Sequence, residues 1–179
     1  LAPVKKTGYT VYNYKYATQE ETAMNILVLS DSHGNISNME AAVEREKPDM
    51  ILHLGDCWRD AERLAERYPD IPMEHVPGNC DCHPEEPAEK LLFLGDCRVL
   101  ICHGHTCGVK TSLLTAGLKA EQEHLDAFLF GHTHKPLVDK RGRTLFLNPG
   151  TVGKGLRPTY GVLTVEGDRI DGRTVFLNT

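Results

Sequence analysis

Five short apolar segments of this chain each end in polar side chains that can bind a metal ion. In the stretch FGHTH, residues 130–134, two histidines two positions apart follow the apolar run 125–130. Short apolar runs bounded by Gly, Asp or Asn are typical of strands that are buried on both faces. The polar residues that follow the five predicted strands are Asp31 and His33, Asp56, Asn79 and Asp81, His103 and His105, and His132 and His134.

The order of the predicted elements indicates how these strands are arranged. Strands over 25–30, 50–54 and 73–76 alternate with helices over 38–47 and 59–67, a pattern typical of a mostly parallel sheet with covering helices. The remaining predictions are a hairpin over 91–94 and 99–102, a helix over 109–124, strands over 126–130, 136–139 and 144–147, and a closing hairpin over 160–165 and 169–177. Ligands gather at the carboxyl ends of strands in such sheets. We therefore expect the five polar groups to meet at one rim.

Length and composition restrict the class of protein. The 179 residues suit one domain, and the polar, tyrosine-rich residues 1–23 differ enough from the rest to predict a leader or an appended extension before a single domain over 24–179. A strand in that extension could pair along a sheet edge. No apolar run approaches the roughly 20 residues that span a bilayer, so we expect no membrane contact.

Charge and cysteine content bear on partners and location. The net charge of −5 argues against a broad nucleic-acid-binding face. The six cysteines are scattered, and none has the C-x-x-C spacing of a zinc ribbon, which predicts reduced thiols in a cytoplasmic protein. Exposed strand edges permit a homo-oligomer.

Each motif taken alone is ordinary. A single Asp-x-His or Gly-Asp is more often a turn or a helix cap, and His53 and His75, which lie within apolar strands, are predicted to be core residues. The joint occurrence of five such motifs, each after a strand, is not ordinary. The motifs are SDSHGN (30–35), LGDC (54–57), PGNCD (77–81), CHGH (102–105) and FGHTH (130–134).

In this order the motifs resemble the five sequence blocks of the calcineurin-like metallophosphoesterases. LNPGT (147–151) resembles a further loop of the small bacterial and archaeal phosphodiesterases of that family. The resemblance runs from Met24 nearly to the carboxyl terminus. It implies an α/β fold, a four-layer α/β/β/α sandwich of two mixed sheets flanked by helices, with the metal site at the carboxyl-terminal rim of the strands.

The resemblance also implies roles for individual residues. One divalent ion would be held by Asp31, His33 and His134, and a second by Asn79, His103 and His132, with Asp56 bridging the two. Asn79 and His105 would be catalytic. Asn35 and His105 lie two residues beyond proposed ligands, so we expect them to bind the substrate phosphate or to orient the ligands, with a purely structural role as the alternative.

The ligand types limit the choice of metal. Mixed oxygen and imidazole ligands suit Mn²⁺ first, with Ni²⁺, Fe²⁺, Zn²⁺ or Mg²⁺ as alternatives. The absence of cysteine from the set argues against a purely structural zinc site. Two divalent cations, two aspartates and one hydroxide leave a net charge of about +1, which would attract an anionic phosphoester.

The expected function is a metal-dependent phosphoric diester hydrolase. Attack of a metal-bridging hydroxide would cleave a small phosphodiester. The alternatives are a phosphomonoesterase or nucleotide phosphatase with the same metals, and a non-catalytic scaffold like the related retromer subunit. No nucleic-acid substrate is expected, because clustered Lys or Arg residues are missing and residues 83–89 are acidic.

One position departs from the family pattern. Many members carry a histidine after the metal-binding asparagine, where it protonates the leaving group, but this chain has Cys80. A thiol is a poorer acid at neutral pH. We therefore expect weak proton delivery, or delivery through His105 or water.

Overall fold

The computed structural model describes residues 4–6, 9–14, 23–82, 86–155 and 157–177. Within them the chain forms twelve strands and three helices. In chain order these are β1 (Val4–Lys6), β2 (Tyr9–Tyr14), β3 (Met24–Leu29), α1 (Ile36–Glu46), β4 (Met50–His53), α2 (Trp58–Arg67), β5 (Met73–His75), β6 (Glu89–Leu94), β7 (Cys97–Cys102), α3 (Leu114–Gln122), β8 (Ala127–Phe130), β9 (Leu137–Arg141), β10 (Thr144–Asn148), β11 (Thr159–Glu166) and β12 (Arg169–Phe176).

The strands form two mixed sheets in the described part of the chain. One has five strands in the order β12-β11-β3-β4-β5, and the other has seven in the order β1-β2-β6-β7-β8-β10-β9. The strands β3, β4 and β5 are parallel, and so are β7, β8 and β10, whereas β11 runs antiparallel to β3. The carboxyl ends of each parallel set therefore share one edge of their sheet, from which the polar loops leave.

Apolar residues hold the layers together in three clusters. One cluster lies between the two sheets and contains Leu52, Leu129 and Leu163. A second packs α1 and α2 on the five-stranded sheet, and a third packs α3 on the seven-stranded sheet. The order of layers is helix, sheet, sheet, helix, which confirms the predicted α/β/β/α sandwich.

The third helix is shorter than predicted. It begins at Leu114, not at residue 109, because residues 104–112 form successive turns. The backbone N–H groups of Cys107 and Val109 donate to the Gly104 carbonyl, and those of Thr111 and Ser112 donate to the Gly108 carbonyl. Gly108 has a φ of +63°, which interrupts a right-handed helix.

Part of the tyrosine-rich segment extends the seven-stranded sheet. The backbone of β2 pairs in parallel with β6, from Thr10 opposite Lys90 to Tyr14 opposite Leu94. Residues 1–3, 7–8 and 15–22 lie outside the described residues. The division into a leader over 1–23 and a domain over 24–179 stays a prediction.

The core between the sheets can be tested at Leu163, which is fully buried at the centre of β11. Leu163→Ala should lower the free energy of unfolding by about 2–5 kcal/mol, because it leaves a cavity between two packed sheets. The matched control is Leu118→Ala on α3, whose side chain is 60% exposed and should change stability by less than about 1 kcal/mol. Urea unfolding in EDTA measures both without a contribution from metal binding. Equal losses in the two variants would contradict this picture of the core.

Candidate metal centre

The predicted polar groups follow strands whose ends face the same rim. Asp31 and His33 come after β3, Asp56 after β4 and Asn79 after β5, all on the five-stranded sheet. On the other sheet His103 and His105 follow β7, and His132 and His134 follow β8. Side-chain contacts join the two sets across the gap between the sheets. The structure thus brings all seven predicted metal ligands together.

A first cluster consists of Asp31, His33, Asp56 and His134. One potential ligand atom from each lies within 4.8 Å of the others. The Nε2 atom of His134 lies 3.0 Å from Oδ1 of Asp31, yet this buried oxygen has no hydrogen-bond partner among the described residues. Two ligands at about 2.1 Å from one cation and at right angles to each other are also about 3 Å apart. The cluster therefore fits a divalent cation.

A second cluster surrounds Nε2 of His103. Oδ1 of Asn79 and Nδ1 of His132 each lie 3.2 Å away, and Oδ1 of Asp56 lies 3.4 Å away. Nδ1 of His103 is 2.7 Å from the carbonyl oxygen of Leu54, to which it donates its proton. In the neutral ring Nε2 then presents a lone pair, and the oxygens that face it are acceptors. A cation between these atoms would satisfy all of them at once.

Asp56 links the two clusters. Its Oδ1 faces His103, and its Oδ2 lies 3.9 Å from Nε2 of His33. Burial raises the pKa of Asp56, but the hydrogen bond from the Cys80 backbone N–H and the nearby His103 and His33 lower it more, so that the pKa lies below its usual value. Asp56 is therefore an anion at neutral pH.

The histidines of the second cluster suit metal binding. Burial lowers the pKa of His132, and the neighbouring His103 and Lys110 lower it further. Burial and His103 also lower the pKa of His105. Neutral imidazoles have a lone pair for a cation. The ring of His105 lies 5.4 Å from that of His103 and 6.1 Å from that of His132, so His105 stands beside the cluster.

The backbone of the candidate ligands has an uncommon conformation. Five of the eight non-glycine residues with positive φ in the described part of the chain are candidate ligands, namely Asp31 (55°), His33 (44°), Asp56 (58°), His132 (66°) and His134 (59°). A left-handed backbone conformation raises the free energy of a non-glycine residue by about 1–3 kcal/mol, and such residues are concentrated at functional sites. The surrounding fold must stabilise these loops.

Asp81 holds the Asp56 loop, a role that the sequence pattern does not predict. The pattern places Asp81 only among the polar residues at the rim, but its carboxylate accepts hydrogen bonds from four backbone N–H groups. The donors are Gly78 (2.7 Å), Asp56 (3.0 Å), Cys57 (2.8 Å) and Trp58 (3.2 Å). Cys57 and Trp58 begin α2, where an acceptor satisfies unpaired N–H groups. A signal was present in the sequence, because aspartate is a usual helix cap, but this one lies 23 residues after the first residue of the helix it caps.

Other buried polar groups fix the Asp31 loop. Ser30 Oγ donates to Asp31 Oδ2 at 2.5 Å, and the backbone N–H of His132 donates to the same oxygen at 3.1 Å. Asp60 accepts from Ser32 Oγ and from the Gly34 backbone N–H, each at 2.7 Å. These contacts orient the Asp31 carboxylate with its other oxygen, Oδ1, toward His134.

Close backbone approach explains three glycines of the motifs. A Cβ atom on Gly131 would lie 1.9 Å from Ser30 Oγ, and one on Gly55 would lie 2.6 Å from the backbone nitrogen of Gly78. A Cβ on Gly78 would lie 2.2 Å from Asp56 Oδ1. The rim loops can therefore meet only where these residues have no side chain.

Two predicted core histidines lie near the site without joining it. His53 is fully buried, and its Nε2 lies 3.2 Å from Ser32 Oγ while its Nδ1 accepts from the Gly55 N–H. Burial lowers its pKa to about 4, so it is neutral at pH 7. His75 is half-buried and stacks on Trp58 at 5.8 Å.

Asn35, which was predicted to bind substrate, caps α1. Its Oδ1 accepts a hydrogen bond from the Asn38 backbone N–H at 3.3 Å. A cap stabilises the start of the helix, and this oxygen is then used by the hydrogen bond to the helix backbone. The substrate role of Asn35 stays a prediction.

In the acidic stretch 83–89, residues 83–85 lie outside the described residues.

The role of Asp81 can be tested by Asp81→Asn. The amide would present N–H groups to backbone N–H donors, so the Asp56 loop should shift and Mn²⁺ affinity should fall about 10- to 100-fold. Asp168→Asn, in an exposed turn between β11 and β12, is the matched control and should bind as wild type does. Isothermal titration with Mn²⁺ measures both, and circular dichroism checks folding. Unchanged affinity in a folded Asp81→Asn variant would refute the positioning role.

Comparison with known proteins agrees with this geometry. A family model described as the calcineurin-like phosphoesterase superfamily domain matches residues 24–168. The probable metallophosphoesterase YsnB of Bacillus subtilis is 34% identical over 151 residues, which cover 81% of this chain and 86% of YsnB. The phosphodiesterase YfcE of Escherichia coli is 28% identical over 168 residues, which cover 78% of this chain and 87% of YfcE.

Solved structures show the same architecture. A crystal structure of a predicted phosphoesterase from Streptococcus pneumoniae has a TM-score of 0.74 and 26% identity, covering 89% of this chain and 92% of that one. Vacuolar protein sorting 29 of Cryptosporidium parvum has a TM-score of 0.68 but 17% identity, covering 86% of this chain and 97% of that one, so it shares the fold. No helix in the described ranges has the length and apolar character needed to cross a bilayer. Together the family match, the YsnB relative and the cluster of metal-ligand side chains show that this chain belongs to the calcineurin-like phosphoesterase superfamily, a family of metal-dependent phosphoesterases.

Proposed function

We propose that this protein hydrolyses small phosphodiesters with the help of two divalent cations. The observation that carries the proposal is the pair of ligand clusters that share Asp56. One carboxylate with an oxygen toward each cluster is the arrangement that a bridged pair of cations needs. The similarity to YfcE, which is named a phosphodiesterase, supports a diester as the substrate.

In this proposal Asp31, His33 and His134 hold one cation, Asn79, His103 and His132 hold the other, and Asp56 binds both. When bound, the cations would supply a hydroxide nucleophile at neutral pH and positive charge for the phosphoryl oxygens. The protein's own part is to orient the ligands, through the backbone hydrogen bonds that Asp81 accepts and the hydrogen bond that the Ser30 hydroxyl donates to the Asp31 carboxylate. Mn²⁺ is the proposed metal because the ligands mix oxygen and imidazole, a set that Ni²⁺, Fe²⁺ and Zn²⁺ also accept.

Asn79 and His105 have further roles in the proposal. Asn79 is a neutral ligand, so the centre keeps a net positive charge that an aspartate would cancel. His105 is half-buried, and its Nδ1 is buried without a hydrogen-bond partner among the described residues. A neutral imidazole beside the second cluster would donate to a phosphoryl oxygen or to the leaving group.

The substrate would be a small phosphoester in the cytoplasm. The exposed Cys80 and Cys82 thiols are typical of a reducing compartment. The exposed Leu114 and Leu118 on α3 are compatible with association into a homo-oligomer.

The proposal is tested by comparing bis-p-nitrophenyl phosphate with p-nitrophenyl phosphate in the presence of Mn²⁺. The diester should have the higher kcat/KM. Asp56→Asn and His132→Ala should each lower the diester rate by at least about 100-fold, because each removes a metal ligand. Asp70→Asn, at an exposed aspartate before β5, is the control and should retain the wild-type rate.

The other outcomes identify the competing functions. A higher kcat/KM for the monoester would indicate a phosphomonoesterase or nucleotide phosphatase. Absence of hydrolysis of both esters with Mn²⁺, Ni²⁺, Fe²⁺, Zn²⁺ and Mg²⁺ would favour a non-catalytic scaffold.

Cys80 leads to a separate prediction about leaving groups. The hydrogen bond with Asp56 is the larger cause, and burial the second, of a rise in the pKa of the Cys80 thiol to about 11. The thiol is therefore a weak acid at neutral pH. Hydrolysis should therefore become much slower as the leaving group becomes more basic. Cys80→His should reduce this dependence, and Cys80→Ser should keep it. The measurement is log kcat for a series of methyl aryl phosphodiesters against the pKa of the phenol. A flat wild-type plot, with no burst to suggest slow product release, would contradict the prediction.

A further inference from the structure

A cleft of about 620 Å³ adjoins the candidate metal centre on the side of the seven-stranded sheet. We refer to it as the lysine cleft. Its apolar lining includes Val109, Leu113, Phe130 and Leu137, and its polar lining consists of Lys110, Thr133 and Lys135. This volume lies within the range of pockets that bind small molecules.

The lysine cleft and the metal centre are formed by the same two loops. Thr133 lies between the candidate ligands His132 and His134, and Lys135 follows directly. In the loop after β7, a Cβ on Gly104, between His103 and His105, would lie 2.7 Å from Val109 Cγ2 and 3.4 Å from Phe130 Cβ, and both of these residues line the cleft. The cleft is therefore the neighbouring space for the part of a substrate beyond the phosphorus.

The wall that carries Lys135 is fixed by hydrogen bonds. Thr133 Oγ1 accepts from Asn148 Nδ2 at 3.0 Å and from the Lys135 backbone N–H at 3.2 Å. Asn148 is fully buried and also donates to the Gly131 carbonyl at 2.7 Å. The backbone position of Lys135 relative to His134 is thus set before any ligand binds.

The cleft has a positive charge that the described residues do not neutralise. Lys110 and Lys135 are exposed, and neither has an ion-pair partner in the described ranges. The residues that line the cleft include no Asp or Glu. In a chain with a net charge of −5, two unpaired lysines beside an apolar floor favour an anionic ligand with an apolar body.

We propose that the lysine cleft binds the part of the substrate that is not cleaved, and that this part combines a planar apolar group of nucleoside size with a second anionic group. This inference rests on the proposed phosphodiesterase function and narrows its substrate class. The apolar body packs on Leu113 and Leu137, and the second anion lies between Lys110 and Lys135. Two lysines match one additional phosphate or carboxylate and are too few for a polynucleotide backbone.

Two chromogenic diesters that differ by one phosphate test the proposal. They are thymidine 5′-(p-nitrophenyl phosphate) and the same ester with a 3′-phosphate. Wild-type protein with Mn²⁺ should have a kcat/KM at least about 10-fold higher for the 3′-phosphorylated ester, because charge-assisted contacts to the two lysines are added. Methyl p-nitrophenyl phosphate, which has no apolar body, should be the poorest of the three substrates.

Substitution of the lysines should remove this preference. Lys110→Ala and Lys135→Ala should each lower the ratio of the two kcat/KM values about 3- to 5-fold, mainly through KM, and the double variant should bring the ratio close to 1. Lys140→Ala on β9 is the matched control, because Lys140 is exposed and does not line the cleft, and its ratio should stay at the wild-type value.

The outcomes separate the two proposals. Hydrolysis of the simple thymidine ester with no preference for the 3′-phosphate would overturn the proposed role of the lysine cleft and leave the phosphodiesterase proposal intact. A preference for the 3′-phosphate that persists in the double variant would also overturn the proposed role of the cleft. Hydrolysis of bis-p-nitrophenyl phosphate but of none of the three esters would overturn the role of the lysine cleft alone, whereas absence of hydrolysis of all four diesters would overturn both proposals.

Discussion

The structure depends on the packing of two mixed sheets whose parallel strands end at a common rim. Residues such as Leu52 of β4 and Leu129 of β8 are fully buried in the cluster that joins the two sheets. This packing places Asp56, which follows β4, within 3.4 Å of His103 from the other sheet. The candidate metal centre is therefore a consequence of the core, and a shift of one sheet against the other would pull each cluster apart, because each contains side chains from both sheets.

Bringing these loops together has an energetic cost that the molecule meets in two ways. Five candidate ligands have left-handed backbone, and polar atoms such as Asp31 Oδ1 are buried without a hydrogen-bond partner in the described part of the chain. Backbone N–H groups that donate to the Asp81 carboxylate, and the Ser30 hydroxyl that donates to Asp31, hold the loops in this conformation, and glycines at 55, 78 and 131 allow close approach. The remaining unfavourable contacts are between lone pairs, which a bound cation would relieve. A cation bound between these atoms would therefore also stabilise the fold.

The function that we propose follows from charge as much as from geometry. In the proposal the charge of two divalent cations exceeds that of two aspartates and one hydroxide, because Asn79 is neutral, and phosphate esters are anions. The adjacent lysine cleft extends this positive region away from the reacting phosphorus. In this proposal Cys80, with its raised pKa, is a weak acid for the leaving group, so proton delivery falls to His105 or to water.

Local patterns in the sequence determined the strands, most helix positions and the set of candidate ligands, because apolar runs followed by Asp, His or Asn are visible one segment at a time. The same patterns misplaced the start of α3, since the turns over 104–112 depend on the positive φ of Gly108 and on the hydrogen bonds that the Gly104 and Gly108 carbonyls accept. They also left the role of Asp81 hidden, because its four N–H partners come from segments that only folding brings near. The tertiary structure decided which atoms face one another and which cleft adjoins the site. The reason is that packing of the two sheets, and not any local preference of the chain, sets the distances between remote segments.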